Sequence, residues 1–193
     1  MRAGVVLITL TVLGGYAWYL SNVAPARTLE GTRDLAIRAR QYNQNWVRPG
    51  CGVGREDASR ANERLRYSLH LKPEFVPSLV KDSEPKVRAA VILSVGWEKR
   101  SEFTAMIANN LALEKDAKVR EYIIASLGRL GGKDALRGLH YALDDAVLRN
   151  KSLAAAALIR LGGYIPKKRL AAITKEASDS GERKPEDFKG VFD

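Results

Sequence analysis

The sequence has a single cysteine and only two histidines among its 193 residues. Cys51 alone cannot form an intrachain disulfide bond or assemble a cysteine-rich zinc site. Neither His70 nor His140 has a second histidine at the i+4 spacing of a helical metal site. We therefore expect no metal, and no cofactor of another kind is indicated.

Aromatic residues are also scarce, at 7% of the chain, whereas alanine and leucine are plentiful. This balance is typical of closely packed helices and disfavours sheets, so an all-α fold is predicted. The nucleophile motif G-x-S-x-G is missing from the sequence. Because no other catalytic constellation is apparent, the chain is predicted not to be an enzyme and to have no small-molecule substrate.

Positive charge predominates, with 32 lysines and arginines against 22 acidic residues and a formal net charge of +10. Such an excess favours acidic proteins, anionic lipid or nucleic acid as partners over neutral ones. It does not choose among these three classes.

The first 26 residues contain an uncharged run, AGVVLITLTVLGGYAWYL, over residues 3–20. Its length just reaches the roughly 18 residues that a bilayer-spanning helix needs. Tyr16, Trp18 and Tyr19 lie at one end, where amphipathic rings favour the headgroup boundary. A transmembrane anchor over residues 1–26 is predicted. The alternative is a signal peptide cleaved after Ala24-Pro25-Ala26, which would give a secreted or periplasmic protein.

The arginines that follow this run favour a single-pass membrane protein whose remaining chain faces the cytoplasm. Residues 27–56 form the predicted basic connector. Leu35, Ala39, Tyr42 and Trp46 recur there at helical spacing, and residues 48–54 form a glycine-rich hinge. Two interpretations stay open for the apolar stripe: it packs on the first repeat, or the helix lies on a membrane surface. The predicted membrane-surface residues are Arg33, Arg38, Arg40 and Trp46.

A repeat dominates residues 57–177. EPKVRAAVILSVG at residues 84–96 aligns without a gap with DAKVREYIIASLG at residues 116–128, and RLGG at residues 129–132 recurs at 160–163. A period of about 31 to 32 residues predicts stacked helical hairpins, because one hairpin cannot bury both its apolar faces alone. The predicted helix pairs are 73–81 with 87–97, 102–113 with 119–130, and 134–143 with 149–161.

Helices over residues 58–69 and 166–177 are predicted to cap this repeat domain at its two ends. After them, residues 178–193 are mostly polar and charged. We predict a flexible polar tail there, because such a composition offers little apolar surface to bury. Phe188, Val191 and Phe192 are the tail's candidates for a short docking motif.

The pattern of an acid, then Val-Arg, an apolar helix and Leu-Gly resembles HEAT repeats, particularly the short variety named after phycobilisome lyases. The resemblance implies a short right-handed α-solenoid of about three HEAT-like hairpins with capping helices. It also implies that Glu84, Arg88, Asp116 and Arg120 form a structural ladder between neighbouring repeats. The third repeat departs from this pattern, since Lys151 and Val147 occupy the places of the arginine and the acid.

Such an extended surface suits a membrane-anchored, non-enzymatic scaffold that binds proteins, such as an accessory or assembly subunit of a larger membrane complex. An acidic or membrane-embedded protein is the expected partner. The predicted partner contacts are Lys115, Lys118, Arg137, Arg149 and Lys151. The alternative is a basic HEAT-like protein that binds nucleic acid, although the membrane segment makes nucleic acid the less expected partner.

Overall fold

The structure, a computed structural model, describes residues 25–41 and 53–192. Nine α-helices and no strand are found within these two ranges. The all-α prediction is therefore confirmed for the described part of the chain. No helix in those ranges combines the length and apolar character needed to cross a membrane. The predicted span over residues 3–20 lies outside the described residues, as do Trp46 and the hinge residues 48–52.

The helices follow the predicted order closely. Their bounds are α1 Leu29–Gln41, α2 Val53–Leu71, α3 Val76–Leu79, α4 Pro85–Trp97, α5 Thr104–Leu111, α6 Ala117–Leu130, α7 Gly132–Ala142, α8 Leu148–Arg160 and α9 Lys167–Ser180. Short 3-10 helices span Pro73–Phe75, Ser101–Phe103 and Pro185–Val191. Helix α2 starts five residues before the predicted capping helix, so Val53 and Gly54 are helical and do not belong to a loop.

The chain divides into two compact units, Met1–Val76 and Pro77–Asp193. In the first unit, α1 and α2 pack against each other. Leu35 and Ala39 of α1 are buried, as are Leu65 and Leu69 of α2. These positions recur every four residues, which places each pair on one side of its helix. The described half of the connector's apolar stripe, Leu35 and Ala39, therefore packs against protein, and Tyr42 lies outside the described residues.

This packing changes the interpretation of the basic residues in α1. Arg40, predicted to lie on a membrane surface, is buried, whereas Arg38 is exposed and Arg33 is half-buried. Burying the apolar side of α1 against α2 draws the adjacent Arg40 away from solvent. Among the three arginines, Arg38 is thus the one most available for an anionic surface.

In the second unit, helices with the same place in successive repeats pack side by side. Helix α4 packs on α6, α6 packs on α8, and α5 packs on α7. Helix α9 continues the series by packing on α8. We call α4, α6 and α8 the second helices, because each follows a shorter helix or turn within its repeat. Stacking each repeat on the next creates a shared apolar core, to which Ile92, Ile123, Ile124, Leu127 and Leu153 contribute buried side chains.

Small residues let the second helices approach closely. A Cβ atom built on Gly96 would lie only 2.9 Å from the Cα atom of Ser126 in the next second helix. One repeat later, a Cβ atom built on Gly128 would lie 3.1 Å from the Cβ atom of Ala157. The Ser126 hydroxyl also donates a 3.0 Å hydrogen bond to the carbonyl oxygen of Ile92. The repeated Ser-apolar-Gly sequence therefore marks the points of closest helix contact.

The C-terminal residues differ from the predicted flexible tail. Helix α9 continues to Ser180 and ends at Gly181, whose left-handed φ of 71° suits glycine. After it, the 3-10 helix Pro185–Val191 packs on α8. Phe188 and Phe192 are 1% and 3% exposed. Two buried aromatic rings anchor this segment, although its average composition is polar.

Candidate functional site

The first of two candidate sites is a ladder of charged side chains along the second helices. Nε and Nη2 of Arg88 each donate a 2.7 Å hydrogen bond to the carboxylate of Glu114 in the next repeat. Nη1 of Arg88 donates to the carbonyl oxygen of Asp82 at 2.7 Å, in the turn of its own repeat. One guanidinium thus joins two successive turns.

The second rung repeats this arrangement. Arg120 donates to the Asp145 carboxylate at 2.7 and 3.1 Å, and to the carbonyl oxygen of Lys115 at 3.0 Å. Glu114 and Asp145 also accept hydrogen bonds from the backbone N–H groups of Asp116 and Val147, at 2.9 and 2.8 Å. Each acid therefore shapes its own turn while it receives the arginine of the preceding repeat.

These contacts lower the pKa values of both bridging acids. Burial alone would raise the pKa of Glu114, but hydrogen bonds from Arg88 and from the Asp116 N–H lower it below its ordinary value. The pKa of Asp145 is lowered in the same way, since hydrogen bonds from Arg120 and from the Val147 N–H outweigh the effect of burial. Both acids are thus held in their charged form.

Lys151 supplies a third rung. Its ammonium lies 3.3 Å from each carboxylate oxygen of Glu176 in α9, and it occupies the place of Arg88 and Arg120 one repeat later. A lysine can make this contact, but its compact ammonium lacks the planar fork that lets arginine bind both oxygens and the local carbonyls together. The third repeat therefore keeps the ladder contact despite its departure from the sequence pattern.

The acids of the predicted ladder occupy a different place from the one expected. Glu84 and Asp116 lie at the N-caps of α4 and α6, where their side chains accept backbone N–H groups. Asp116 accepts from Lys118 and Val119 at 2.8 and 2.9 Å. The residues that bridge to the arginines are Glu114 and Asp145, each two residues before the N-cap of a second helix. The hydrogen bond to Glu114 is the main cause that raises the pKa of Arg88, and the charge of Asp116 adds to it.

Most of the predicted partner contacts already face an acid within the chain. Lys118 and Arg149 share Glu121, at 2.7 and 3.1 Å. Arg137 lies on α7, not on a second helix, and pairs with Asp134 at 3.1 Å. Lys151 belongs to the ladder, while the side chain of Lys115 is exposed. Four of the five cations thus pair with acids of the chain itself, which weakens the attraction expected for an acidic partner.

The second candidate site is the surface on which residues 184–192 lie. We call these residues the C-terminal segment, and we call the surface formed by Gly128, Arg129, Arg149, Ala156 and Arg160 the segment-binding face. The guanidinium of Arg129 stacks on the ring of Trp97 at 3.8 Å and donates a hydrogen bond to the carbonyl oxygen of Val191. A main-chain group of the segment is therefore recognised directly.

The two phenylalanines of the segment meet this face in similar surroundings. A Cβ atom built on Gly128 would lie 2.5 Å from the Phe192 ring, so only glycine leaves room for that ring. The guanidinium of Arg160 lies 5.8 Å from the centre of the Phe192 ring, and that of Arg149 lies 5.6 Å from the centre of the Phe188 ring. Each ring is thus placed between apolar helix surface and a cation.

A cleft of about 340 Å³ adjoins the two rings. Helices α8 and α9 form one wall through Ile159, Leu170 and Thr174, and the C-terminal segment forms the other through Pro185, Phe188 and Phe192. The cleft is open to solvent on the side of Ile159, which is 53% exposed. Apolar side chains beyond the two rings could therefore be accommodated here.

Within residues 25–41 and 53–192, no group of three or more His, Cys, Asp or Glu side chains is placed to hold a metal ion. No role was predicted for Arg129 and Arg160, although both open a repeated Arg-Leu-Gly-Gly segment. The recurrence of arginine at the end of successive second helices was the signal that could have identified them.

Comparisons with known proteins give no relative for this chain: no family model matches it, and neither the curated proteins nor the solved structures contain a match.

Proposed function

We propose that this chain is a membrane-anchored, non-enzymatic scaffold that binds other proteins, as an accessory or assembly subunit of a larger membrane complex. Its repeat domain is a short right-handed solenoid of about three HEAT-like hairpins with capping helices. Support for this architecture comes from three successive rungs, made by Arg88, Arg120 and Lys151, that link partners 26, 25 and 25 residues apart.

The observation that carries the binding function is the C-terminal segment on its face. The second helices hold a short piece of chain by two buried rings and by a hydrogen bond to a main-chain carbonyl oxygen. Binding through apolar anchors and main-chain groups is the usual way in which a rigid surface recognises a peptide. A surface with this chemistry suits a protein ligand better than a small metabolite.

The membrane anchor in this proposal rests on the uncharged residues 3–20. Arg38 adds a cation for an anionic headgroup surface beyond the anchor, and Arg33 lies five residues before it. The partner is accordingly a membrane protein or its soluble extension, and the repeat domain faces the cytoplasm. Cleavage of the N-terminal residues would instead make the protein secreted or periplasmic.

Co-purification from membranes tests the proposal. The full chain should stay in the membrane pellet through carbonate extraction, and mass spectrometry should find residues 1–26 retained. After detergent solubilisation, one protein partner should co-purify at a fixed ratio. A variant with residues 3–20 replaced by a polar sequence is the matched control, and it should leave the pellet. Monomeric protein that instead binds duplex DNA, with affinity falling steeply as salt rises, would support the nucleic-acid function.

A further inference from the structure

We infer that the segment-binding face binds a partner segment that carries two aromatic side chains four residues apart next to carboxylates, and that the chain's own residues 184–192 occupy the face until that partner displaces them. This inference rests on the proposed scaffold function and specifies its ligand. The C-terminal segment is the model for the ligand, because it displays the chemistry that the face selects.

The aromatic requirement follows from the shape of the face. Phe192 lies against the backbone of α6 at Gly128, and the small side chains Ala156 and Ala157 belong to the adjacent α8. Both rings of the segment are almost fully buried, although they are separated by only three residues. A larger residue in place of Gly128 would occupy the volume of the ring, so the face is shaped for an aromatic anchor.

The requirement for an acid follows from the turn that presents the first ring. The segment places two exposed acids, Glu186 and Asp187, just before Phe188. Asp187 accepts a 2.9 Å hydrogen bond from the Lys184 N–H, which closes the turn that presents Phe188. An acidic residue directly before the first ring therefore shapes the turn in which the ligand presents that ring.

The C-terminal segment can dissociate from the segment-binding face while the helices stay folded. It is joined to α9 through Gly181, Glu182 and Arg183, which lie outside both the α-helix and the 3-10 helix. Its buried apolar side chains are Phe188 and Phe192, whereas α6 and α8 bury seven and eight residues. Local opening of a short terminal segment costs less free energy than global unfolding.

The cleft beside the rings gives a partner an advantage over the chain's own segment. Ile159 and Leu170 line that cleft, and Ile159 stays half exposed with the segment in place. A partner segment with one more apolar side chain can cover Ile159 in addition to filling the two ring positions. The additional buried apolar area lets this ligand compete with the chain's own segment, whose tether gives it an effective concentration on the order of millimolar.

A synthetic peptide of residues 183–193, RKPEDFKGVFD, provides the probe, with a fluorophore at its N-terminus. Binding is measured by anisotropy to the detergent-solubilised full chain and to its Phe188→Ala/Phe192→Ala variant, in which the face is released. The peptide should bind the variant at least about tenfold more tightly than the original chain, because the apparent affinity scales with the open fraction of the face. A peptide with both phenylalanines replaced by alanine is the control and should not bind.

Equal affinity for the two proteins, or no binding to a variant that keeps its circular dichroism spectrum, would overturn the inference. If the variant does not fold, hydrogen exchange of the original chain tests whether the peptide displaces the C-terminal segment. Millimolar peptide should accelerate exchange in the chain's own residues 185–192 and leave α6 and α8 protected, and unchanged exchange in that segment would overturn it. A partner that co-purifies from membranes without being displaced by the peptide would uphold the scaffold and refute this face. Peptide binding without any membrane partner would uphold the segment-binding face and refute the scaffold function.

Discussion

Arg88 and Glu114 are joined by two hydrogen bonds of 2.7 Å, although 26 residues separate them in the sequence. Glu114 lies in the turn before α6, and Arg88 lies in the first turn of α4. Because the same guanidinium also binds the carbonyl oxygen of Asp82, it fixes the distance between two successive turns. The pair therefore controls how one repeat sits on the next.

Replacing Arg88 by alanine should destabilise the second unit by about 2 to 3 kcal/mol, since Glu114 would lose its cation in a site where its side chain is only 7% exposed. The expected fall in the thermal midpoint is about 4 to 12 °C. Circular dichroism of the full chain in detergent measures it.

Arg137→Ala is the matched control for that variant. The Arg137 side chain is 63% exposed and pairs with Asp134 on the surface of α7. Its removal should change stability by no more than about 0.5 kcal/mol. Partner affinity of the folded protein should be the same in the Arg88→Ala variant as in the original chain. A thermal midpoint that stays unchanged after Arg88→Ala would refute the structural role of the ladder.

The ladder also predicts a loss of stability in acid. Because folding lowers the pKa of Glu114 and of Asp145, their contribution is fully present above their unfolded pKa values, about 4.3 and 3.9. That contribution falls as the pH drops through the lower folded pKa values. The free energy of unfolding should therefore decrease below about pH 4.

Urea titrations at pH 7 and pH 3 measure this dependence. The Glu114→Gln/Asp145→Asn variant should be less stable than the original chain at pH 7, and it should lose less stability between the two pH values. An equal loss in both proteins would assign the acid sensitivity to other groups.

The repeat pattern in the sequence located the helices well and their contacts less well. Positions 84–96 and 116–128 begin with an acid and Val-Arg, and the structure starts α4 and α6 one residue after those acids. The helix boundaries were predictable because N-caps are local features. The acids that bridge to the arginines were not predictable from the sequence. Whether Glu114 or Asp116 contacts Arg88 depends on how one repeat stacks on the next.

The C-terminal segment illustrates the same limit. Its composition favours a flexible tail, and only Phe188 and Phe192 carry enough apolar surface to oppose that tendency. Their burial depends on a place left by Gly128, about 60 residues earlier in the chain. No local sequence pattern predicts the space beside Gly128, so the docking of the segment could be seen only in the tertiary structure.

The third rung should be weaker than the first two. Lys151 contacts Glu176 at 3.3 Å, and the Glu176 side chain is largely exposed. Lys151→Ala should therefore cost no more than about 1 kcal/mol, well below the effect of Arg88→Ala. Thermal midpoints of the two variants, measured side by side in the same detergent, test this order. A larger loss for Lys151→Ala would contradict the ranking of the rungs.

The close approach of α4 and α6 provides the last prediction. Gly96→Ala should destabilise the second unit by about 1 to 3 kcal/mol, because the new methyl group would lie within 3 Å of the Cα and Cβ atoms of Ser126. The helices would have to separate, which would also lengthen the 3.0 Å hydrogen bond from Ser126 to Ile92. Gly190→Ala is the control, since nothing lies within 4 Å of a Cβ atom at that position. Urea unfolding should give a lower midpoint for Gly96→Ala and an unchanged one for Gly190→Ala, and equal midpoints for the two would contradict the close packing of these helices.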